Sequence, residues 1–216
     1  MTKSNEIKKV KKSEIHKSAL ELFSDKGYYQ TSIADIAKKS NISKGLFYHY
    51  YFSKDALFEG VVIESFESIL NYFPQNKEQD FNDDNLAYFT NKLIIKSLES
   101  NKTHWKLLIL LLSQQILYEI ALKHLTKSTA YIGYENILQR YFKAKGYKKP
   151  DIEVKLFTSS LIGICIQYII NPADYPVKDV MAQFTSRIIS KIQVKKSRNM
   201  ISNQLQSSWV LLKTFI

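Results

Sequence analysis

The stretch SKGLFYHYYFSKDALF, residues 43–58, places six aromatic or imidazole side chains at consecutive positions, from Phe47 to Phe52. One face of a helix takes only every third or fourth residue, so a helix cannot bury six neighbouring rings at once. Some of these rings must therefore face outward, where they are available to a binding partner.

Capping residues around this stretch predict short helices on both sides of a turn. Ser32 is a natural N-cap, with Asp35 three residues later as a variant of the capping box, and Ser43 is suited to cap the next helix. Between them, Asn41 tolerates the left-handed conformation that ends a helix. Ser53 is suited to cap a further helix. Two short helices joined by a turn of this kind, inside a small helical domain, form a helix-turn-helix.

The rest of the sequence also has helical patterning. Only 6 Gly and 4 Pro occur in 216 residues, which favours long helices over a turn-rich β fold. Residues 1–12 are polar and basic, and they fit either a frayed arm or an extension of the first helix. We therefore predict an all-α fold. The further predicted helices cover residues 13–26, 54–73, 85–100, 103–113, 115–144, 151–170 and 177–194.

Positive charge is concentrated at the start of the chain. The net charge is +11, and residues 1–54 contribute 11 Lys against five acidic residues. Such a basic module indicates a polyanionic partner, most often nucleic acid. Charge alone fits equally well a lysine-rich protein whose basic side chains are simply solvated.

The sequence lacks the common catalytic and metal-binding motifs. His16, His49, His104 and His124 are scattered, and no H-E-x-x-H, G-x-S-x-G or glycine-rich phosphate loop occurs. The single Cys165 excludes an internal disulfide, and its apolar neighbours indicate a buried, unreactive thiol. We expect no enzyme activity, no cofactor and no metal site.

Hydropathy gives an expectation for the compartment. The first twelve residues are charged and have no apolar core, so we expect no signal peptide. The longest uninterrupted apolar run, residues 107–112, is far shorter than the ~20 residues that span a bilayer. The expected location is the cytoplasm, without a membrane partner.

The segment TSIADIAKKSNISKGLFYHYYFSKDALF, residues 31–58, resembles the DNA-binding signature of the TetR family of bacterial repressors. The similarity extends over about residues 13–60, because the preceding helix also ends in the family's L-F-x-x-x-G pattern. The positions that match in one register without a gap are Thr31, Ile36, Ala37, Ser43, Gly45, Tyr48, Ser53, Lys54 and Leu57.

Five positions depart from the family pattern. Phe47 replaces the usual Leu, Asp55 the usual Glu, and Asn41 the usual Gly. Tyr50 stands where His is usual, and it can still donate one hydrogen bond to phosphate. Phe52 occupies a position that is commonly polar. These departures affect individual contacts with DNA and not the prediction of a helix-turn-helix domain.

The resemblance implies DNA contacts on and around the second helix, with Phe47 pointing into the domain core. The implied phosphate contacts are Thr31, Ser32, Tyr48, Tyr50 and Lys54. Lys44 and His49 are candidates for hydrogen bonds to base edges, and Leu46 for a thymine methyl contact. Gly45, after the capping Ser43, would let the helix approach DNA closely. Tyr51 and Phe52 are expected to pack between the small domain and the following helix.

The resemblance also implies a regulatory body and a homodimer that binds a palindromic operator and is released by a small lipophilic or aromatic ligand. We therefore expect a helix-turn-helix domain with a basic N-terminal arm at residues 1–54 and a helical regulatory and dimerisation domain at 55–197. The candidate pocket residues are Phe66, Tyr72, Tyr88, Trp105, Leu108, Tyr118 and Tyr134. The candidate dimer residues are Leu156, Leu161, Ile164, Tyr168, Phe184, Ile188 and Ile192.

Two alternatives stay open at the level of sequence. The tail at residues 198–216 begins basic and ends apolar, so it could be a packed helix, a partner-binding helix or a disordered end. The whole chain could also be a helical interaction protein whose helix-turn-helix does not read DNA.

Overall fold

The computed structural model describes residues 3–73, 81–112, 119, 122–123 and 126–190 of the chain. Every regular element in these ranges is helical, which confirms the all-α prediction. The predictions for Tyr118, Ile192 and the tail at 198–216 concern residues outside the described ranges.

The helices in chain order are α1 (Lys3–Lys26), α2 (Ile33–Lys39), α3 (Lys44–Tyr50), α4 (Lys54–Leu70), α5 (Asp83–Tyr88), α6 (Ile95–Ser100), α7 (Lys102–Leu112), α8 (Thr129–Ala144), α9 (Pro150–Ile170) and α10 (residues 177–190). A π-helical segment, Phe89–Ile94, joins α5 to α6.

The chain divides into two compact units. The first comprises Met1–Phe73 with Lys96–Ile132, and the second comprises Pro74–Ile95 with Gly133–Ile216. In the first unit α4 packs against both α1 and α7. The functional boundary that we predict between residues 54 and 55 stays a prediction, and the compact units divide the chain elsewhere.

An apolar core holds the first unit together. Phe23 of α1 meets Phe58 of α4 edge to face, with 5.1 Å between ring centroids. Such pairs add to the gain from burying apolar surface. Because all four N-terminal helices contribute to this core, it fixes their packing. Its members are Ile15, Ala19, Phe23, Ile36, Phe47, Tyr51, Leu57, Phe58, Val61, Val62, Leu107 and Leu111.

In the second unit, buried polar groups find partners across helices. The Thr90 hydroxyl lies 2.7 Å from the Thr185 hydroxyl. The Tyr141 hydroxyl donates to Asp83 over 2.7 Å, and the Lys145 ammonium lies equally close to that carboxylate. Buried polar groups are costly unless they are hydrogen-bonded, so these contacts specify how the helices pack.

The structure decides one alternative that the sequence left open, and it interrupts one predicted helix. Residues 3–12 are part of α1, so the polar start extends the first helix. The predicted helix over 115–144 is interrupted, because residues 126–128 form a turn and α8 begins after it. The Thr126 hydroxyl donates to the Leu122 carbonyl, and Ser128 Oγ accepts from the Tyr131 amide. These local hydrogen bonds compete with helical ones, which explains the break.

Helix α9 is apolar over most of its length. By length and composition it could cross a membrane, but a single such helix is weak evidence because core helices pass the same test. Cys165 lies on this helix and is fully buried. Burial raises the pKa of the Cys165 thiol to about 12, which agrees with the unreactive thiol predicted from its neighbours.

The turn between α2 and α3 depends on Asn41. This residue has φ of 51°, as the sequence predicts, and the following Ile42 amide donates to the Ala37 carbonyl over 3.0 Å. The left-handed conformation brings Cβ close to the following carbonyl oxygen, and Asn tolerates it better than most residues. The angle between the two short helices therefore rests on one backbone conformation.

We predict that Asn41→Val lowers the free energy of unfolding by about 2 kcal/mol, because a β-branched side chain is strained at positive φ. Asn41→Gly should cause no loss. Asn71→Val is the matched control, since Asn71 is exposed and has a right-handed φ of −60°. Urea unfolding followed by circular dichroism measures the three variants, and equal losses at both positions would contradict the account.

Candidate nucleic-acid interface

Helix α2 begins with a complete capping box. Ser32 Oγ accepts from the Asp35 amide over 3.1 Å, and the Ser32 amide donates to the Asp35 carboxylate over 3.0 Å. The Ser32 hydroxyl also donates to this carboxylate over 2.7 Å, and the two donations from Ser32 lower the pKa of Asp35. Ser32 itself is exposed, so the start of α2 is accessible to a phosphate.

Helix α3 sorts the aromatic run into two faces. Ser43 caps the helix by accepting from the Leu46 amide over 3.1 Å. Phe47 is fully buried in the core, whereas Tyr48 is 49% exposed. His49 lies on the exposed side as well. The prediction that Phe47 points inward is therefore confirmed.

The exposed side of α3 carries most of the predicted DNA-contacting residues. They differ in chemistry but share accessibility: Ser43, Lys44, Gly45, Leu46, Tyr48 and His49 are all exposed, and Tyr50 is half-buried. At Gly45 an added Cβ would meet only the Ser43 hydroxyl oxygen, at 3.9 Å. Packing inside this chain therefore does not require a glycine at position 45. The predicted reason for Gly45 is that it lets a binding partner come close to the helix.

The end of the aromatic run corrects one expectation. Tyr51 is buried and belongs to the core, as predicted. Phe52 is 84% exposed, so it does not pack between the small domain and the next helix. It precedes the α4 cap Ser53, and a residue there often packs on the fourth helical residue, here Leu57. Because Leu57 is completely buried elsewhere in the core, Phe52 is left in solvent.

Thr31 has a structural role instead of the predicted phosphate contact. Its side chain is only 1% exposed. The hydroxyl donates to the Gly27 carbonyl over 2.8 Å, and the amide donates to the Tyr28 carbonyl. With both donors used inside the protein, Thr31 fastens the turn between α1 and α2.

Lys54, for which the motif implies a phosphate contact, makes contacts inside the protein. Its ammonium group donates to the carbonyls of Tyr28 and Thr31, each over 3.0 Å. It also lies 4.1 Å from the centroid of the Tyr28 ring. Partial burial lowers the pKa of Lys54. All of these contacts lie inside the protein. The sequence does not identify Tyr28 as a partner of Lys54, because its only local signal is its position directly after Gly27.

The predicted pocket residues that the structure describes are divided between the two compact units. Phe66, Tyr72, Trp105 and Leu108 belong to the first unit, and Tyr88 and Tyr134 to the second. Trp105 is buried and donates to Ser97 Oγ, while Tyr134 is fully buried beside Thr158. Tyr88 is 59% exposed. As pocket linings, Trp105, Tyr134 and Tyr88 are corrected: the first two are core residues with satisfied polar atoms, and the third faces solvent.

The predicted dimer residues that the structure describes lie on α9 and α10 with mixed exposure. Leu156 is 59% exposed, whereas Leu161 is 3% exposed and belongs to the core of the second unit. Phe184 packs on Phe157, with 5.3 Å between centroids. The half-buried members are Ile164, Tyr168, Phe184 and Ile188. Leu161 is therefore corrected from an interface residue to a core residue.

Comparison with known proteins supports the predicted helix-turn-helix domain near the start of the chain. Residues 15–61 match the family described as "Bacterial regulatory proteins, tetR family". IcaR, the negative regulator of the icaADBC biofilm operon of Staphylococcus epidermidis, is 32% identical over 83 residues, which are 38% of this chain and 45% of IcaR. YuxN, an uncharacterized HTH-type regulator of Bacillus subtilis, is 46% identical over 65 residues, 30% of this chain and 20% of YuxN. This chain thus spans less than half of each of these relatives.

Solved structures extend the similarity to most of the chain. A transcriptional regulator of Aquifex aeolicus VF5, described as TerR/AcrR family, has a TM-score of 0.65 at 25% identity, covering 82% of this chain and 99% of that one. The fatty acid degradation regulator FadR of Bacillus halodurans has a TM-score of 0.63 at 17% identity, covering 81% and 95%. At 17% identity, the similarity to FadR shows a shared fold and nothing more.

We predict that removing two neighbouring rings of α3 lowers the free energy of unfolding by different amounts. Phe47→Ala should lower the free energy of unfolding by about 3 kcal/mol, because it empties a buried site. Tyr48→Ala should cost less than about 1 kcal/mol, because half of that ring is already in solvent. Chemical denaturation of both variants tests this, and a similar loss from each would mean that the faces are wrongly assigned.

Proposed function

Because this chain belongs to the TetR family of bacterial regulatory proteins, we propose that it regulates transcription by binding an operator in double-stranded DNA. The observation that carries the proposal is α3: its inner face is anchored by Phe47 while Lys44, Tyr48 and His49 are exposed. A helix presented in this way can enter a major groove, with its first residues at the base edges.

Each exposed group of α3 has a role in this proposal. Lys44 donates to a guanine edge and His49 to a second base, which specifies sequence. Tyr48, Tyr50 and Ser32 contact phosphates, which fixes register without reading bases. Leu46 reaches a thymine methyl group, and Gly45 and Ser43 allow the helix to come close to the DNA.

The regulator acts as a homodimer on a palindromic operator. Helix α9 supports this, because it leaves apolar side chains exposed: Ile152, Leu156, Ile162 and Ile170. A helix with apolar residues on more than one face suits a partner surface. A two-fold dimer would place two α3 helices in successive major grooves, about 34 Å apart.

Repression, with release by a ligand, is the mode of regulation that we propose. The similarity to IcaR, a negative transcriptional regulator that is 32% identical over 83 residues, supports repression. A small lipophilic or aromatic molecule would bind the helical body, with Phe66, Tyr72 and Leu108 as remaining half-buried candidates. The protein would act in the cytoplasm, where its DNA lies.

We predict that Lys44→Met reduces the preference for operator over scrambled DNA at least about fivefold, because a bidentate base contact is worth about 1–3 kcal/mol. Fluorescence anisotropy on the DNA upstream of its own gene, against a scrambled duplex of equal length, measures this preference. Lys92→Met is the matched control, since Lys92 is an exposed lysine of the second unit.

The wild-type protein and Lys92→Met should share one preference and one dependence on salt. If Lys44→Met weakens operator and scrambled DNA equally, Lys44 does not read bases. If the wild-type protein itself shows no preference for any upstream segment, regulation at its own promoter is excluded. Its operator then lies elsewhere, or an interaction protein becomes the better description.

We predict that Leu156→Glu converts the dimer to a monomer, because it places a charge in the proposed apolar interface. Gln139→Glu, at an exposed position of α8, is the control with the same added charge and should stay dimeric. Light scattering after size-exclusion chromatography gives the mass of each. A dimeric Leu156→Glu variant would exclude this face of α9 from the interface.

A further inference from the structure

Tyr28 makes two side-chain contacts with the start of α4, and we call this set of contacts the Tyr28 clamp. Its hydroxyl donates to the Asp55 carboxylate. Its ring lies under the Lys54 ammonium group, 4.1 Å from the nitrogen. The same ammonium donates to the carbonyls of Tyr28 and Thr31. One aromatic residue therefore engages two consecutive residues of α4.

The ring of Tyr28 is itself fixed by the core. It lies 4.7 Å from the Phe58 ring and 5.7 Å from the Phe23 ring, measured between centroids. Phe23 and Phe58 are both buried. The ring of the clamp is thus anchored on α1 and α4 by buried residues, while its hydroxyl reaches the exposed Asp55.

The clamp joins the two ends of the helix-turn-helix segment. The chain runs from Tyr28 through Thr31 into the α2 cap Ser32, and it returns after α3 at the α4 cap Ser53, next to Lys54. All of these residues belong to the first unit. Fixing Tyr28 against Lys54 and Asp55 fixes the distance between the N-termini of α2 and α4.

We propose that Tyr28 is a positioning residue for DNA binding, which holds the N-termini of α2 and α4 in the spacing that DNA phosphates require. This inference rests on the proposed function for its consequence at DNA. Lys54 then acts through Tyr28 and Thr31 rather than as a free phosphate contact. Asp55, an acid beside a polyanion, is explained as the acceptor of the Tyr28 hydroxyl.

The first test needs no DNA. Tyr28→Phe keeps the ring in the core and removes only the hydroxyl. The Thr31 amide donates to the Tyr28 carbonyl, so its hydrogen exchange reports on the turn that the clamp holds. We expect exchange at Thr31 to become at least fivefold faster, with no change at Leu86 in the second unit. Tyr88→Phe, which removes an exposed hydroxyl in that unit, should leave Thr31 unchanged.

The second test measures affinity for the operator over a range of salt concentrations. Tyr28→Phe should weaken binding at least threefold without changing the salt slope, since no cation is removed. A lost phosphate–cation contact instead lowers the slope by about 0.9. The thermal midpoint of each variant, measured alongside, ensures that only folded protein is compared.

Replacing Asp55 gives a test in which simple electrostatics and the Tyr28 clamp predict opposite changes in DNA affinity. Plain electrostatics predicts that Asp55→Ala strengthens DNA binding, because a negative charge is removed near phosphates. The clamp predicts at least threefold weaker binding, because the Tyr28 hydroxyl loses its acceptor. Asp55→Asn retains an acceptor and should bind at least as tightly as the wild-type protein.

Three results would overturn the proposal: unchanged exchange at Thr31 in Tyr28→Phe, unchanged operator affinity in that variant, or tighter binding by Asp55→Ala. Absence of operator binding by the wild-type protein would instead contradict the proposed function. The exchange measurement would still decide whether the clamp holds the turn.

Discussion

The burial of Phe47 is the constraint on which the rest of the interface depends. Helix α3 has only seven residues, and helices of that length are not stable alone in water. Its orientation therefore comes from packing, with Phe47 inserted completely into a core that α1 and α4 also build. Because a helix has a fixed period, anchoring this ring turns Tyr48 and His49 to the accessible side, and Lys44 is exposed as the first residue of the helix.

A second constraint acts at the ends of the same segment. The left-handed Asn41 sets the angle within the helix-turn-helix, while the contacts of Tyr28 with Lys54 and Asp55 close the segment from outside. A lysine that the motif alone would assign to phosphate is used here to hold two carbonyls. A short module that must match the fixed spacing of DNA phosphates gains from such internal rigidity, since less ordering remains to be done on binding.

Local signals in the sequence predict much of this structure. Ser32, Ser43 and Ser53 cap helices as their types suggest, and Asn41 adopts the expected conformation. Side-chain placement that depends on distant packing was not predictable. The exposure of Phe52, for example, follows from Leu57 being taken into the core. The burial of Thr31 and the internal use of Lys54 likewise depend on a turn whose three-dimensional closure no local pattern encodes.

We propose that an anchored α3 reads DNA from its exposed face, twice in a symmetric dimer. Selection of the full-length protein on a pool of random duplexes, followed by sequencing, tests it most directly. The account predicts enrichment of a palindrome whose half-site centres lie about one helical turn apart, or a multiple of it. A pool that stays random after repeated rounds, although the folded protein is recovered, would contradict sequence-specific recognition by this helix.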